Sequence, residues 1–383
     1  MSIYRLIFVV AALTASVHAF SQDDIYTPEV GKSVRPRMKV LASEARDGYE
    51  CLYVEYATDR EERIKAYLLV PEGAGKKSRR PGILMLHDHG ARFDIGKEKY
   101  VRPIASVLKD GADDHVMRSS QQWADKNFDG VHLGDSLAQL GYVVLAADAL
   151  YWGERSTDEA QRWSELTYGD PGHASLTEDR ALSAKARKDT IKALKNRVYD
   201  GQQVLYERLE SEGVIWAEKM LRDDAAALRL LKSLPYVDEE NVGAFGFSMG
   251  AHRCWMLAAF CKEVRCGVAL SWMTTLDLSE RMKASDYSMA VMPMREKLDF
   301  GDIGMFLAPV PFLFLNGETD HLFPAGRVGI AFEKLKGHYA EYNERRGLGH
   351  TPDPLQTRFF KGGHHCGKST QKIIVEYFDQ NLR

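Results

Sequence analysis

Three short stretches of this chain set a hydroxyl, a carboxylate and an imidazole in an order that could break an acyl bond. Gly246-Phe247-Ser248-Met249-Gly250 reads G-x-S-x-G, with a strand-like run before it at 241–245 and a helical run after it at 251–260. In that context the serine sits on a sharp strand-to-helix turn. The flanking glycines remove side chains that would clash there, and the helix N-terminus faces developing negative charge. A serine attacks only when a base takes its proton and an acid orients that base. Asn316-Gly317-Glu318-Thr319-Asp320 follows the buried run 312–315 and so puts carboxylates at a strand's C-terminal end. Asp320 is the candidate acid and Glu318 the second. Lys361-Gly362-Gly363-His364-His365-Cys366-Gly367 supplies the imidazole, and His364, directly after two glycines, is favoured over His365. Each piece has a plainer reading: G-x-S-x-G recurs by chance, Asp caps helices, and a His pair can simply be exposed. The three in this order argue for nucleophilic chemistry.

Charge that builds on an attacked carbonyl oxygen needs two N–H donors. Met249, the residue after the nucleophile, is one candidate. His89, in His87-Asp88-His89-Gly90 after the strand-like run 83–86, is the other. The donors are backbone groups, so the side chains of His87 and His89 can equally be packed in the core. A metal at His364-His365-Cys366 is disfavoured, because adjacent side chains rarely converge on one ion. There is no zinc-like Cys/His spacing, no P-loop and no G-x-G-x-x-G after a strand, so neither a metal nor a cofactor is expected.

These residues need a frame. Strand-like runs fall at 52–56, 64–70, 83–86, 143–147, 241–245, 264–270, 310–316 and 357–360. Helical runs fall at 216–234, 251–260, 325–335 and 370–382, and 137–140 closes another. Alternating strands and helices imply an α/β fold with a mostly parallel sheet covered on both faces. The stretches 91–133 and 156–200 are long for connections and read as insertions beside the site, helical around Trp123 and from about Lys185. Ala217, Met220, Leu221, Ala227, Leu228 and Leu231 form an apolar helical stripe. Asp224 interrupts it and needs a partner if buried.

The chain has 383 residues, 45% of them hydrophobic and 27% charged, which suits one large domain with insertions. A net charge of −3 offers no global field for nucleic acid or an anionic membrane. Arg5, the apolar run 6–13 and the small residues Val17 and Ala19 read as a secretory signal cleaved near Ala19, too short to span a bilayer. The expected organisation is a signal over 1–19, a polar leader over 20–50 and one domain over 51–383. The mature protein is then exported, periplasmic or secreted, with no membrane attachment. The five cysteines, Cys51, Cys254, Cys261, Cys266 and Cys366, leave at least one thiol unpaired within the chain; Cys261 and Cys266 bracket a short turn and could pair, while Cys254 and Cys261 could equally be small buried hydrophobes.

The motifs together resemble the α/β-hydrolase superfamily, and within it the dienelactone-hydrolase and acetyl-xylan-esterase-like branch. The resemblance covers about residues 50–383. It rests on His87-Asp88-His89-Gly90, Asp148 with Gly153-Glu154-Arg155, Gly246-Phe247-Ser248-Met249-Gly250, Asn316-Gly317-Glu318-Thr319-Asp320 and Gly362-Gly363-His364. It implies a serine esterase without a cofactor, acting on a small-molecule or oligosaccharide ester, as exported members remove acetyl or methyl groups from polysaccharides. Some members carry the acid one strand earlier, which makes Asp277 a further alternative. Trp152 and Trp272, with Tyr151, are candidate sugar platforms, and Arg155 and Arg253 could grip a carboxylate; core packing and ion pairing are the plainer alternatives. Met282, Met289, Met292 and Met294 could form an apolar lid. The rival functions are a serine peptidase of the same fold, a small-lactone hydrolase, which in this branch commonly uses cysteine in place of Ser248, and a binding member without activity.

Overall fold

The computed structural model describes residues 25–31, 36–108, 115–170, 182–277, 279–280, 282–348 and 354–383. The expected signal over 1–19 lies outside them. The sheet has nine described strands: β1 (Met38–Arg46), β2 (Tyr49–Ala57), β3 (Arg63–Pro71), β4 (Arg80–Leu86), β5 (Val143–Ala147), β6 (Val237–Phe247), β7 (Cys266–Leu270), β8 (Phe312–Gly317) and β9 (Leu355–Phe360), in the order β1-β2-β3-β5-β4-β6-β7-β8-β9. The pairings β1–β2, β2–β3 and β3–β5 are antiparallel, and those from β5 to β9 are parallel.

The parallel strands are apolar on both faces because each face has its own core. Along β4, Leu84 and Leu86 enter one core while Ile83 and Met85 enter the other. The main helices are α1 (His115–Asn127), α2 (Leu133–Gln139), α3 (Asp158–Tyr168), α4 (Ala184–Ser211), α5 (Trp216–Ser233), α6 (Met249–Cys261), α7 (Ala325–Arg345) and α8 (Lys368–Leu382). The first core takes Leu228 of α5, Leu257 of α6 and Leu335 of α7; the second takes Leu137 of α2 and Phe378 of α8. No described helix is long and apolar enough to cross a membrane.

Three expectations change. The segment 20–50 is more than a leader: it contributes β1, so the sheet begins at Met38 rather than at 51. β1 is an edge strand with only intermediate and exposed positions and a register shift between Val40 and Ala42, which is why hydrophobic alternation does not reveal it. The second insertion runs on past 200. Within it α4 starts behind Ser183, whose hydroxyl accepts the Ala186 N–H at 3.2 Å, and ends at Ser211. The five cysteines are all buried free thiols, so Cys261 and Cys266 do not pair.

The carboxylate of Asp224 has its partner one helix away. Arg253 of α6 donates to it through Nε at 2.9 Å and through Nη2 at 2.6 Å, both side chains buried. Removing either member would strand a buried charge at a cost of about 3–5 kcal/mol. The pair ties α5 to the helix that follows the serine.

The turn into α6 depends on two glycines. A Cβ on Gly246 would lie 1.9 Å from the carbonyl oxygen of Gly250, and a Cβ on Gly250 would lie 1.7 Å from that of Leu86. Both obstacles are backbone and have no rotamer to escape into. Gly250→Ala should therefore destabilise the protein by at least about 3 kcal/mol in urea unfolding. A loss below about 1 kcal/mol would show that β4 and the turn can separate.

Candidate active site

Ser248 occupies the turn between β6 and α6 with φ 54° and ψ −124°, a conformation that L-residues rarely hold. Its N–H is anchored to Leu270 O at 2.8 Å, and its carbonyl accepts the Ala251 N–H at 2.8 Å. Its hydroxyl makes no cap bond to α6 and so is not spent on the helix.

Asp320 and His364 come together. Asp320 Oδ1 accepts the N–H groups of Leu322 at 2.9 Å and Phe323 at 3.1 Å, which aims Oδ2 at His364 Nδ1, 2.8 Å away. Nδ1 then carries the imidazole proton and Nε2 is the acceptor. Burial by itself would raise the Asp320 pKa; the bond to His364, electrostatic attraction to that ring and the two N–H groups outweigh it and hold the carboxyl below its ordinary value. The His364 ring lies 4.8 Å from that of Phe247, the residue before the serine, and stacks on Phe323 at 5.8 Å. A Cβ on Gly317 would sit 2.4 Å from Gly363 O, so the acid turn and the histidine loop are in backbone contact.

The alternatives are not part of this bonded pair. Glu318 is exposed. Asp277 is exposed and accepts the N–H and hydroxyl of Ser279 at 2.9 and 2.6 Å. His365 pairs through Nε2 with Asp129 at 3.1 Å.

Met249 and His89 are both buried, and neither backbone N–H has an acceptor among the described residues. Backbone N–H groups without a protein acceptor are rare in the interior of folded proteins, so these two remain available as donors. The loop that carries His89 is tightly held. His87 Nε2 accepts the Ala149 N–H at 3.0 Å, so its Nδ1 donates to Asp88 O at 2.9 Å. His89 Nδ1 accepts the Ala91 N–H at 3.0 Å, so its Nε2 donates to Gln202 Oε1 of α4 at 2.6 Å. Burial pushes the His89 pKa down to about 4, with the bond to Gln202 opposing it, and burial holds His87 far below its ordinary value. Both rings are neutral packing groups. Two further buried side chains join this loop to the serine turn. Tyr100 donates its hydroxyl to Leu86 O at 3.1 Å and accepts the Phe247 N–H at 3.2 Å, and Arg253 Nη1 reaches His87 O at 3.3 Å.

The expected substrate contacts are instead structural. Trp152 is fully buried and its indole N–H donates to His89 O at 3.0 Å. Arg155 binds Asp223 at 2.8 Å and Glu62 at 3.1 Å. Arg253 is committed to Asp224. Trp272 is 6% exposed and packs on His252, Trp255, Phe300 and Phe323, and Tyr151 is buried with its hydroxyl on Val198 O. Met289 and Met294 are core residues, while Met282 and Met292 are only partly covered. Sequence reading missed Lys97, Lys99, Tyr100 and Gln202. Each is a single polar residue in an insertion, with no spacing that announces its partner. Lys97 Nζ bonds Glu98 and Asp148 at 2.7 Å each and Glu154 at 2.9 Å. Those carboxylates are the one described trio with spacing suited to a metal, and the ammonium already bonds all three.

Comparison with known proteins bears on the family and the fold. The model of the dienelactone hydrolase family matches residues 121–343, over half of the chain. The protein named "Putative hydrolase YtaP" of Bacillus subtilis (strain 168) is 25% identical over 282 residues, covering 73% of each chain. Among solved structures, a "putative acetyl xylan esterase" from Bacteroides fragilis superposes with TM-score 0.56 and 17% identity, over 86% of this chain and 70% of that one. A glucuronoyl esterase from Solibacter usitatus superposes with TM-score 0.51 and 13% identity, over 92% and 89%. At these identities the structural likeness establishes the α/β-hydrolase fold.

The neutral burial of His89 has a measurable sign. Its folded pKa lies below its unfolded one, so the unfolded chain takes up a proton that the folded chain refuses. The associated stability is full above about pH 6.5 and falls by about 3 kcal/mol as the pH drops to about 4. Urea unfolding of wild type and His89→Asn across that window should show a shallower pH dependence for the variant, by about 1.4 kcal/mol per pH unit. Equal slopes would mean that His89 protonates freely in the folded state.

Proposed function

We propose that this chain, which belongs to the dienelactone hydrolase family, is a serine carboxylesterase that hydrolyses a carbohydrate ester through Ser248, His364 and Asp320. The observation that carries this reading is the closed Asp320–His364 bond of 2.8 Å, with the imidazole packed on the residue before a strained serine.

Ser248 Oγ attacks the ester carbonyl carbon as His364 Nε2 takes its proton. The carbonyl π electrons move to oxygen, which the N–H groups of Met249 and His89 receive. The intermediate collapses, the bond to the alcohol oxygen breaks, and His364 returns the proton to that oxygen. Water then repeats the sequence on the acyl-enzyme and frees the acid and Ser248. Asp320 keeps the imidazole in the tautomer this needs and stabilises it when charged.

Two similar structures are named for esters of carbohydrates, one of acetyl xylan and one glucuronoyl, which supports a carbohydrate ester substrate. The group we propose is removed is an acetyl or a methyl ester. Arg5, the apolar run 6–13, Val17 and Ala19 support export. N-terminal sequencing of the exported protein should start at Phe20; a retained Met1 in that fraction would count against cleavage.

Ser248→Ala should abolish hydrolysis of p-nitrophenyl acetate, and a rate within about tenfold of wild type would remove the serine from the mechanism. His364→Ala should lose about 10³-fold or more in kcat, while His365→Ala, which gives up only the contact with Asp129, should stay within about tenfold. Equal losses would leave the base unassigned.

A further inference from the structure

Lys99 is fully buried, yet its nearest carboxylate, Asp88 Oδ1, is 3.5 Å away. Its ammonium is aimed at backbone. Nζ donates to Asp88 O at 2.6 Å and to His89 O at 3.1 Å, and lies 5.2 Å from the centre of the Trp123 ring. Burial lowers its pKa to about 8, with Asp88 opposing that shift, so the protein retains a costly group here.

The geometry points to a purpose. Asp88 C=O and His89 N–H belong to one peptide group. In a planar trans peptide those two bonds point in opposite directions. A cation that holds the Asp88 oxygen on one side therefore turns the His89 N–H to the other, where it has no acceptor among the described residues. His87 Nδ1 grips the same oxygen at 2.9 Å, which leaves the plane little freedom to rotate. The next peptide is fixed as well, since His89 O also accepts the Trp152 indole N–H at 3.0 Å. Gly90, at φ +56°, is pressed so close that a Cβ would lie 2.3 Å from the Trp123 ring. Charge adds to orientation. Hydrogen-bonded groups polarise one another in series, so an ammonium on the carbonyl makes the N–H at the far end a better donor.

We propose that Lys99 is a positioning residue: it aims and polarises the His89 N–H as an oxyanion-hole donor from behind the peptide plane, without touching the substrate. This inference rests on the esterase reading above and assigns a charged group to its oxyanion hole.

The test uses full-length Lys99→Met, which keeps the chain's bulk and removes the cation. With p-nitrophenyl acetate, kcat should fall about 10²-fold while KM changes less than about threefold, the pattern of an interaction made only in the transition state. Affinity for a boronic acid, which becomes tetrahedral on the serine, should weaken by a similar factor. Affinity for an unreactive ether analogue of the substrate should hold. Lys99→Gln keeps a neutral donor and should recover part of the loss; it also serves if the methionine variant does not fold. A folded variant with kcat within threefold of wild type would overturn the role of Lys99, as would equal weakening of both ligands. Failure of a fluorophosphonate to label Ser248 in the wild type would instead count against the esterase reading itself.

Discussion

Where the serine turn meets the end of β4, two backbones touch: a single methyl on Gly250 would fall inside the carbonyl of Leu86. The separation between Ser248 and the loop that carries His89 is thus set by atoms that cannot change rotamer. Other contacts repeat the constraint. Tyr100 bridges Leu86 O to the Phe247 N–H, and Arg253 reaches across to His87 O while its two remaining bonds hold Asp224. A second backbone contact, Gly317 against Gly363 O, does the same for Asp320 and His364. A catalytic constellation tolerates errors of only about half an ångström. Glycines at both junctions let main chain set the distances.

The same fact explains what the sequence disclosed. Ser248, Asp320 and His364 stand in loops whose backbone demands fix neighbouring residue types, so G-x-S-x-G and Gly362-Gly363-His364 are legible without coordinates. The parallel strands are legible too, because burial on both faces leaves continuous apolar runs. β1 is not, since an edge strand can be polar wherever it meets solvent. That Asp320 bonds His364, where Asp277, Glu318 and His365 are the alternatives, shows only in the bond itself. The aromatic and arginine residues near the site misled in one direction. A flat ring or a guanidinium suits a sugar or a uronate, yet Trp152, Arg155 and Arg253 are all committed to the loops around the serine. Nothing in one chain's sequence tells a residue that binds a ligand from one that holds the loop beside it.

Buried polar groups on this scaffold are handled in two ways. His87, His89 and His252 stay neutral, with burial pushing each pKa down. Charges are kept only where an opposite charge or a set of dipoles meets them, as at Arg253–Asp224 and at Lys99. The helix α4 joins in through Gln202, whose Oε1 accepts a hydrogen bond from the His89 ring N–H. The second insertion is thereby fastened to the loop that carries His89 by a bond between two uncharged groups, which salt does not screen.

Lys97 is the extreme case. Burial would lower its pKa, but Asp148, Glu98 and Glu154 raise it far above the ordinary value. Three converging carboxylates would attract a dissolved divalent cation, and many loops are ordered in that way. Here the counter-charge is tethered to the chain. It cannot be diluted away, exchanged for another ion or stripped by a chelator, and its loss would require a proton to leave a site whose carboxylates hold it there. The loop after β5 is therefore held by a counter-charge that belongs to the chain itself, without drawing an ion from its surroundings.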